Sequence, residues 1–199
     1  MRISGGSAKG RKVGFKKAFT GKSPDDELRP TAAKVRKAVF DIIAGRIDEC
    51  RFLDLYAGTG AVGIEALSRG ADDVFFVEGN TKRADMIKDL IAKFGFAAKA
   101  AVIKSQAGIF LGKSSFEPFD IIFVDPPYSS DELELTLQLI DRLECLTDGG
   151  ILIAEHASRK SLSLPLRNLR MKKNYRYGDT ALTLFEYSPA GQAEPVPDA

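Results

Sequence analysis

Asp54-Leu55-Tyr56-Ala57-Gly58-Thr59-Gly60-Ala61-Val62-Gly63 is the stretch on which the reading of this 199-residue chain turns. Phe52-Leu53-Asp54-Leu55, which leads into it, reads as a short strand. After it, Val62, Ile64 and Leu67 recur at helical spacing through residues 61–69. A strand, a glycine turn and a helix start therefore follow one another, and the glycines let a ligand approach the backbone closely. Glu78 ends the next apolar run, VFFVE at residues 74–78, twenty residues after Gly58. A carboxylate placed there can accept both hydroxyls of a ribose. Gly58-x-Gly60-x-x-Gly63 with Glu78 thus suits an adenosine-type cofactor, NAD included. Asp54 separates the possibilities. Four residues before the first glycine, its charge would crowd a pyrophosphate but favours a sulfonium and an α-amino group. That points to S-adenosylmethionine (AdoMet). The other role open to Asp54 is to cap the turn.

Outward from this unit the pattern alternates. A helix is expected over residues 81–94, a strand over 100–104 and a short element at 107–111. A strand within 119–128, a leucine-rich helix over 131–146 and a strand over 150–155 follow. Such alternation predicts βαβ units on a mostly parallel sheet with helices on its faces. Residues 169–177 and 180–187 read as two strands joined across Gly178-Asp179, an antiparallel hairpin that closes the sheet. Ahead of the first core strand, Val35, Val39, Ile42, Ile43 and Ile47 mark a helix that begins at Arg29-Pro30-Thr31, with Thr31 as its cap. Lys34, Arg36 and Lys37 fall largely off that stripe, on the expected basic surface. The fold class is α/β, Rossmann-like. The expected organisation is a basic β extension over residues 1–28, a catalytic domain over 29–188 and a disordered Pro/Ala-rich tail over 189–199.

The second decisive stretch is FDIIFVDPPY, residues 119–128. Its apolar run ends in Asp125-Pro126-Pro127-Tyr128, and two prolines stop a strand and stiffen the loop after it. A carboxylate, exposed carbonyls and a ring are then held at the carboxyl end of a strand, the edge where open α/β sheets bind ligands.

Composition narrows the partners. No apolar run approaches the ~20 residues of a membrane span, and the basic N-terminus lacks the apolar core of a signal peptide. Cys50 and Cys145 are too far apart for a metal or disulfide framework, and one histidine excludes a multi-His metal site. A reduced, cytoplasmic, metal-free protein is expected. Residues 1–37 carry eleven Lys/Arg against three acids, a net +8, whereas the rest carries 18 against 24, a net −6. A basic arm on an acidic body suits a polyanion such as nucleic acid. Seven further Lys/Arg and no acid lie between Arg159 and Arg176, either a second RNA contact or a solvated face. His156 reads as structural, and Tyr175, Tyr177 and Phe185 as core.

DLYAGTGAVGIEALSRGA, then Val77-Glu78 and DPPY, resembles the class I AdoMet-dependent methyltransferases that act on amines. The flanks MRISGGSAKGRKV, RPTAAKVRKAVFDII, AEH and RYGDTALTLFE narrow the resemblance to the bacterial 16S rRNA guanine-N2 methyltransferase family (RsmD type). The resemblance implies AdoMet as methyl donor and small-subunit rRNA, or the assembling subunit, as partner of a monomeric enzyme. It assigns Asp125, Pro126, Pro127 and Tyr128 to the target amine, with Tyr128 stacking on the base. It assigns Asp54, Tyr56, Gly58, Gly60 and Glu78 to the cofactor. Arg29, Thr31 and Arg36 would line the cofactor or phosphate side of the pocket. Where the family usually has Asp-Ala to meet the adenine amino group, this chain has Gln106-Ala107; the Gln106 carbonyl can still accept from an amine. The alternatives are methylation of a DNA base or a protein glutamine on the same fold, an NAD-dependent oxidoreductase, and a non-catalytic RNA-binding module.

Overall fold

The strand–turn–helix unit around Asp54 stands at the centre of the sheet. A computed structural model of the chain describes residues 2–12, 33–113, 116–127 and 131–189. The elements run α1 (Ala33–Ile42), β1 (Arg51–Leu55), α2 (Ala61–Ser68), β2 (Asp73–Glu78), α3 (Thr81–Phe94), β3 (Ala100–Lys104) and α4 (Ala107–Gly112). Then come β4 (Phe119–Val124), α5 (Glu132–Arg142), β5 (Leu146–Ala157), β6 (Leu169–Tyr177) and β7 (Thr180–Tyr187). The sheet order is β3-β2-β1-β4-β5-β7-β6. The first five strands are parallel, and β7 is antiparallel to both β5 and β6. The order reverses between β1 and β4, which opens a crevice at their carboxyl ends.

Period-two alternation sorts the core into two layers. Phe52, Phe76, Phe123, Ile153 and Leu182 pack under α1, α2 and α3 through Val39, Ile64 and Ile87. Leu53, Ile122, Leu152 and Phe185 face the other way, against Phe110 of α4 and Leu137 of α5. Gly63 sets the closeness of the first layer. A Cβ there would lie 2.3 Å from Cε1 of Phe76, a ring with no exposure. Gly63→Ala should therefore cost ~1–3 kcal/mol by overpacking. The thermal midpoint should fall by roughly 2–4 °C per kcal/mol for a chain of this size, and an unchanged midpoint would refute the packing argument.

Residues 2–12 hold one antiparallel bridge, Arg2 with Lys12, where a short-stranded extension is expected. The segment docks on α2: Ser68 Oγ donates to the Gly5 carbonyl at 2.6 Å and accepts from the Ala8 N–H at 2.9 Å. Arg11 reaches the end of α3, donating to the Lys93 carbonyl at 2.9 Å with its guanidinium 4.3 Å from the Phe94 ring centre. A cation there complements the negative end of a helix. The rest of the expected extension, the cap at Thr31 and almost all of the tail lie outside the described residues.

Two helices end sooner than expected: α1 stops at Ile42, although its apolar stripe runs on in the sequence as far as Ile47, and α5 stops at Arg142. Leu146 opens β5 instead of closing the preceding helix, and it pairs with Phe119. The helix stops at Arg142 because Glu144 takes a φ of 51°, which an α-helix does not tolerate. Among the described residues no helix is long and apolar enough to cross a membrane.

Candidate active site

Phe52, Phe76, Phe123 and Ile153 share one face of the sheet. Two residues beyond each of them stand Asp54, Glu78, Asp125 and Glu155. Period two therefore brings four carboxylates from four adjacent strands to one face at one edge. That edge is the carboxyl end, beside the reversal between β1 and β4.

Asp54 is buried and accepts from the Gly63 N–H at 2.8 Å, so the turn-capping role is realised. Capping uses one of about four acceptor positions on a carboxylate. Burial pushes its pKa up to about 7; the Gly63 hydrogen bond opposes the rise and the charge of Glu78 adds to it. Glu78 holds the glycine turn in place, accepting from the Gly58 N–H at 2.8 Å and the Asn80 N–H at 2.7 Å. Gly58 and Gly60 turn with φ of 55° and 72°. A rigid turn with a carboxylate beneath it fits an adenosine whose ribose hydroxyls point at Glu78.

Asp125 continues the ladder past β4, its N–H directed at the Leu55 carbonyl at 3.5 Å. Burial of the carboxyl raises its pKa well above the ordinary carboxylate range, and Glu155 and Asp54 raise it further. Pro126 is buried and Pro127 exposed. Both line a small cavity with Leu133, Glu155, His156 and Lys160. The much larger cavity, about 320 Å³, opens at the opposite edge among Asp48, Glu49, Asp120 and Asp148. It holds none of the glycine-turn chemistry, so size does not identify the site.

His156 is structural, as expected. Its Nε2 lies 2.8 Å from Thr183 Oγ1 and its Nδ1 3.0 Å from the Ala157 carbonyl. With Nδ1–H donating to that carbonyl, the Thr183 hydroxyl donates to Nε2. Burial lowers the imidazole pKa, which favours the neutral ring.

Other assigned residues sit differently. Tyr56 sends its hydroxyl to Thr136 of α5, 2.8 Å away, and its ring packs with the α4–α5 layer. Gln106 is exposed at the start of α4 and makes no side-chain cap bond there. The Ala107 methyl is buried in the α4–α5 layer. Arg36 corrects the expectation: it neither lines the pocket nor extends the basic surface. It is buried with its Nε 3.7 Å from Glu65 and its Nη2 donating to the Arg2 carbonyl at 3.0 Å. A buried carboxylate on α2 draws it inward, which no spacing on α1 announces. Arg29, Thr31 and Tyr128 lie outside the described residues. Sequence reading missed Glu155 as a member of the carboxylate row, although its place two residues past Ile153 carried the signal.

Comparison with known proteins agrees with this geometry. The "Putative rRNA methyltransferase YlbH" of Bacillus subtilis is 35% identical, with 94% of this chain and 98% of that protein covered. The "Ribosomal RNA small subunit methyltransferase D" of Escherichia coli is 31% identical over 98% of this chain and 93% of that protein. A solved structure, "Putative methyltransferase yhhF from Escherichia coli", superimposes with a TM-score of 0.82 at 30% identity, covering 94% and 98% of the two chains. A family model, "Conserved hypothetical protein 95", matches residues 1–186. With its glycine turn, carboxylate row and N-terminal segment all inside that match, the chain belongs to the Conserved hypothetical protein 95 family.

Proposed function

We propose that the protein transfers the methyl group of AdoMet to the exocyclic N2 of a guanine in small-subunit rRNA. The observation that carries this reading is the meeting of an adenosine-type turn and Asp125-Pro126 on one face of the switch-point crevice. The relatives named as rRNA methyltransferases supply the substrate class. The enzyme's place of action is the cytoplasm, on rRNA or the assembling subunit.

AdoMet supplies an electrophilic methyl group on a cationic sulfur. The residues of this chain do the rest. The guanine amine is a poor nucleophile because its lone pair is delocalised into the ring. The Asp125 carboxylate and the Pro126 carbonyl accept its two N–H bonds, localising the lone pair and aiming it at the methyl carbon. Tyr128 stacks on a base swung out of its strand. As the N–C bond forms and the S–C bond breaks, the amine must lose one proton. Burial, Glu155 and Asp54 raise the Asp125 pKa; a cation held beside the carboxylate would offset that rise, and loss of the charge would restore the preference for the acid. Asp125 is therefore the group placed to take the proton.

The buried Asp54 gives a pH test. A carboxyl with a folded pKa of about 7 and an unfolded value near the ordinary 3.8 stabilises the ligand-free fold at low pH. That stability is lost as pH rises towards 7, by ~4 kcal/mol at most. A cationic ligand favours the ionised form. AdoMet affinity should rise by up to about tenfold per pH unit below 7 and level off above it. Proton release should accompany binding at pH 6, read by calorimetry in buffers of different ionisation enthalpy. Asp54→Asn should weaken binding and flatten the profile, whereas a flat wild-type profile would remove Asp54 from the cation site.

The deciding assay offers labelled AdoMet with small subunits from cells lacking the enzyme, free rRNA, duplex DNA and a release factor. Label should enter guanine N2 of the rRNA, free or assembled. Label only in DNA or protein would sink the rRNA reading.

A further inference from the structure

Beyond Glu155 the sheet runs on through β7 to its edge strand β6. Glu155 pairs with Leu182, and Leu182 with Tyr175. Both β5 and β6 are antiparallel to β7, so they point the same way. The last residues of β6 therefore reach the edge where the carboxylates stand. Leu182 belongs to the α1–α3 layer, and Tyr175 and Tyr177 pack against that layer while keeping partial exposure. The two rings thus share the face and edge of Asp125 and Glu155. Three strand spacings, roughly 14 Å, separate Tyr175 from Asp125.

Positive charge lies beside the rings. Lys173 is exposed on the same face, its Nζ 4.9 Å from the Tyr175 ring centre. Arg170 is exposed further down the strand. The nearby carboxylate of Glu186 lies 3.6 Å from Lys172. From Arg159 to Arg176 the chain carries seven cations and no acid. Asn174 donates to Thr183, 2.9 Å away, whose hydroxyl reaches His156, so side chains tie the edge strand to β5. Lysines on an edge strand deter edge-to-edge pairing. That accounts for the charge and leaves the half-exposed rings at the catalytic edge without a purpose.

We propose that Tyr175 and Tyr177, flanked by Lys173 and Arg170, form a platform for single-stranded RNA next to the target guanine. Rings stack on unpaired bases of any identity, and the cations follow the phosphates. The bases of a duplex are stacked on each other and cannot use the rings. The platform would hold the neighbouring nucleotides while the target base enters at Asp125.

This inference rests on the rRNA reading, and the test separates the two. Steady-state methylation of free rRNA and of small subunits from cells lacking the enzyme is measured for wild type, Tyr175→Leu/Tyr177→Leu, Tyr175→Phe/Tyr177→Phe and Lys173→Ala/Arg170→Ala. Leucine keeps the apolar packing and removes the ring. The leucine pair should raise KM for RNA about 5- to 100-fold, with kcat and KM for AdoMet unchanged, and the phenylalanine pair should restore it. Loss of the two cations should reduce the slope of log affinity against log salt by about 0.7 per charge. A leucine pair with wild-type KM for RNA overturns the platform alone. A wild-type enzyme that labels neither free rRNA nor small subunits overturns the rRNA reading and the platform with it.

Discussion

Asp125→Asn is expected to lower kcat by about 10²- to 10³-fold, the usual loss when one preorganised group facing the reacting centre is removed. Asparagine keeps the size and one acceptor of the carboxylate but loses the charge and the capacity to hold a proton. The glycine turn, Glu78 and Asp54 are untouched, so AdoMet should still bind. Single-turnover methylation on rRNA with equilibrium binding in parallel would separate the two effects. The pH dependence of kcat offers a second reading. Glu155 raises the pKa of Asp125, so Glu155→Gln should lower it and move the acidic limb of the profile to lower pH. Near-wild-type turnover by Asp125→Asn would end the carboxylate's role, and an unmoved limb in Glu155→Gln would end the coupling.

Much of this site is legible in the sequence because it depends on local order. Asp54 stands next to last in β1 and Asp125 just past β4, and Glu78 follows at a fixed distance from the turn. The bounds of α3, β3, β6 and β7 coincide with their periodic runs. What is not legible depends on partners far along the chain. The Tyr56 hydroxyl meets Thr136 eighty residues later, and nothing near Tyr56 signals it. Arg36 looks like a surface cation on α1 because its buried partner, Glu65, lies on α2. Glu65 itself stands in the helix Ala61–Ser68, where every residue is buried. A lone carboxylate in such a helix is the one signal that a charge pair awaited it.

Glu65→Ala should be the most destabilising single change at the N-terminal junction, costing about 3–5 kcal/mol, the range for breaking a buried ion pair. Glu65 has no exposure. It accepts from the Ser4 N–H at 3.1 and 2.9 Å, from Ser4 Oγ at 2.7 Å and from Arg69 Nε at 2.9 Å. It also lies 3.7 Å from Arg36 Nε, whose side chain is 3% exposed. Alanine removes all of these acceptors and leaves the Arg36 charge buried without its carboxylate. The desolvation cost of that stranded cation, more than the lost bonds, sets the size of the effect. Arg36→Met combined with Glu65→Ala should therefore recover part of the loss, because a similar apolar volume needs no counter-charge. Urea titration of wild type, Glu65→Ala, Arg36→Met and the double variant gives the coupling energy directly. The same cycle bears on function, since Ser4 carries the basic N-terminal segment onto α2. Glu65→Ala should free that segment, seen as faster amide exchange at Ser7 and Ala8, and should weaken RNA binding at temperatures where the core remains folded. If the double variant is no more stable than Glu65→Ala, the cost lies in the lost Ser4 and Arg69 contacts instead of in the stranded charge of Arg36.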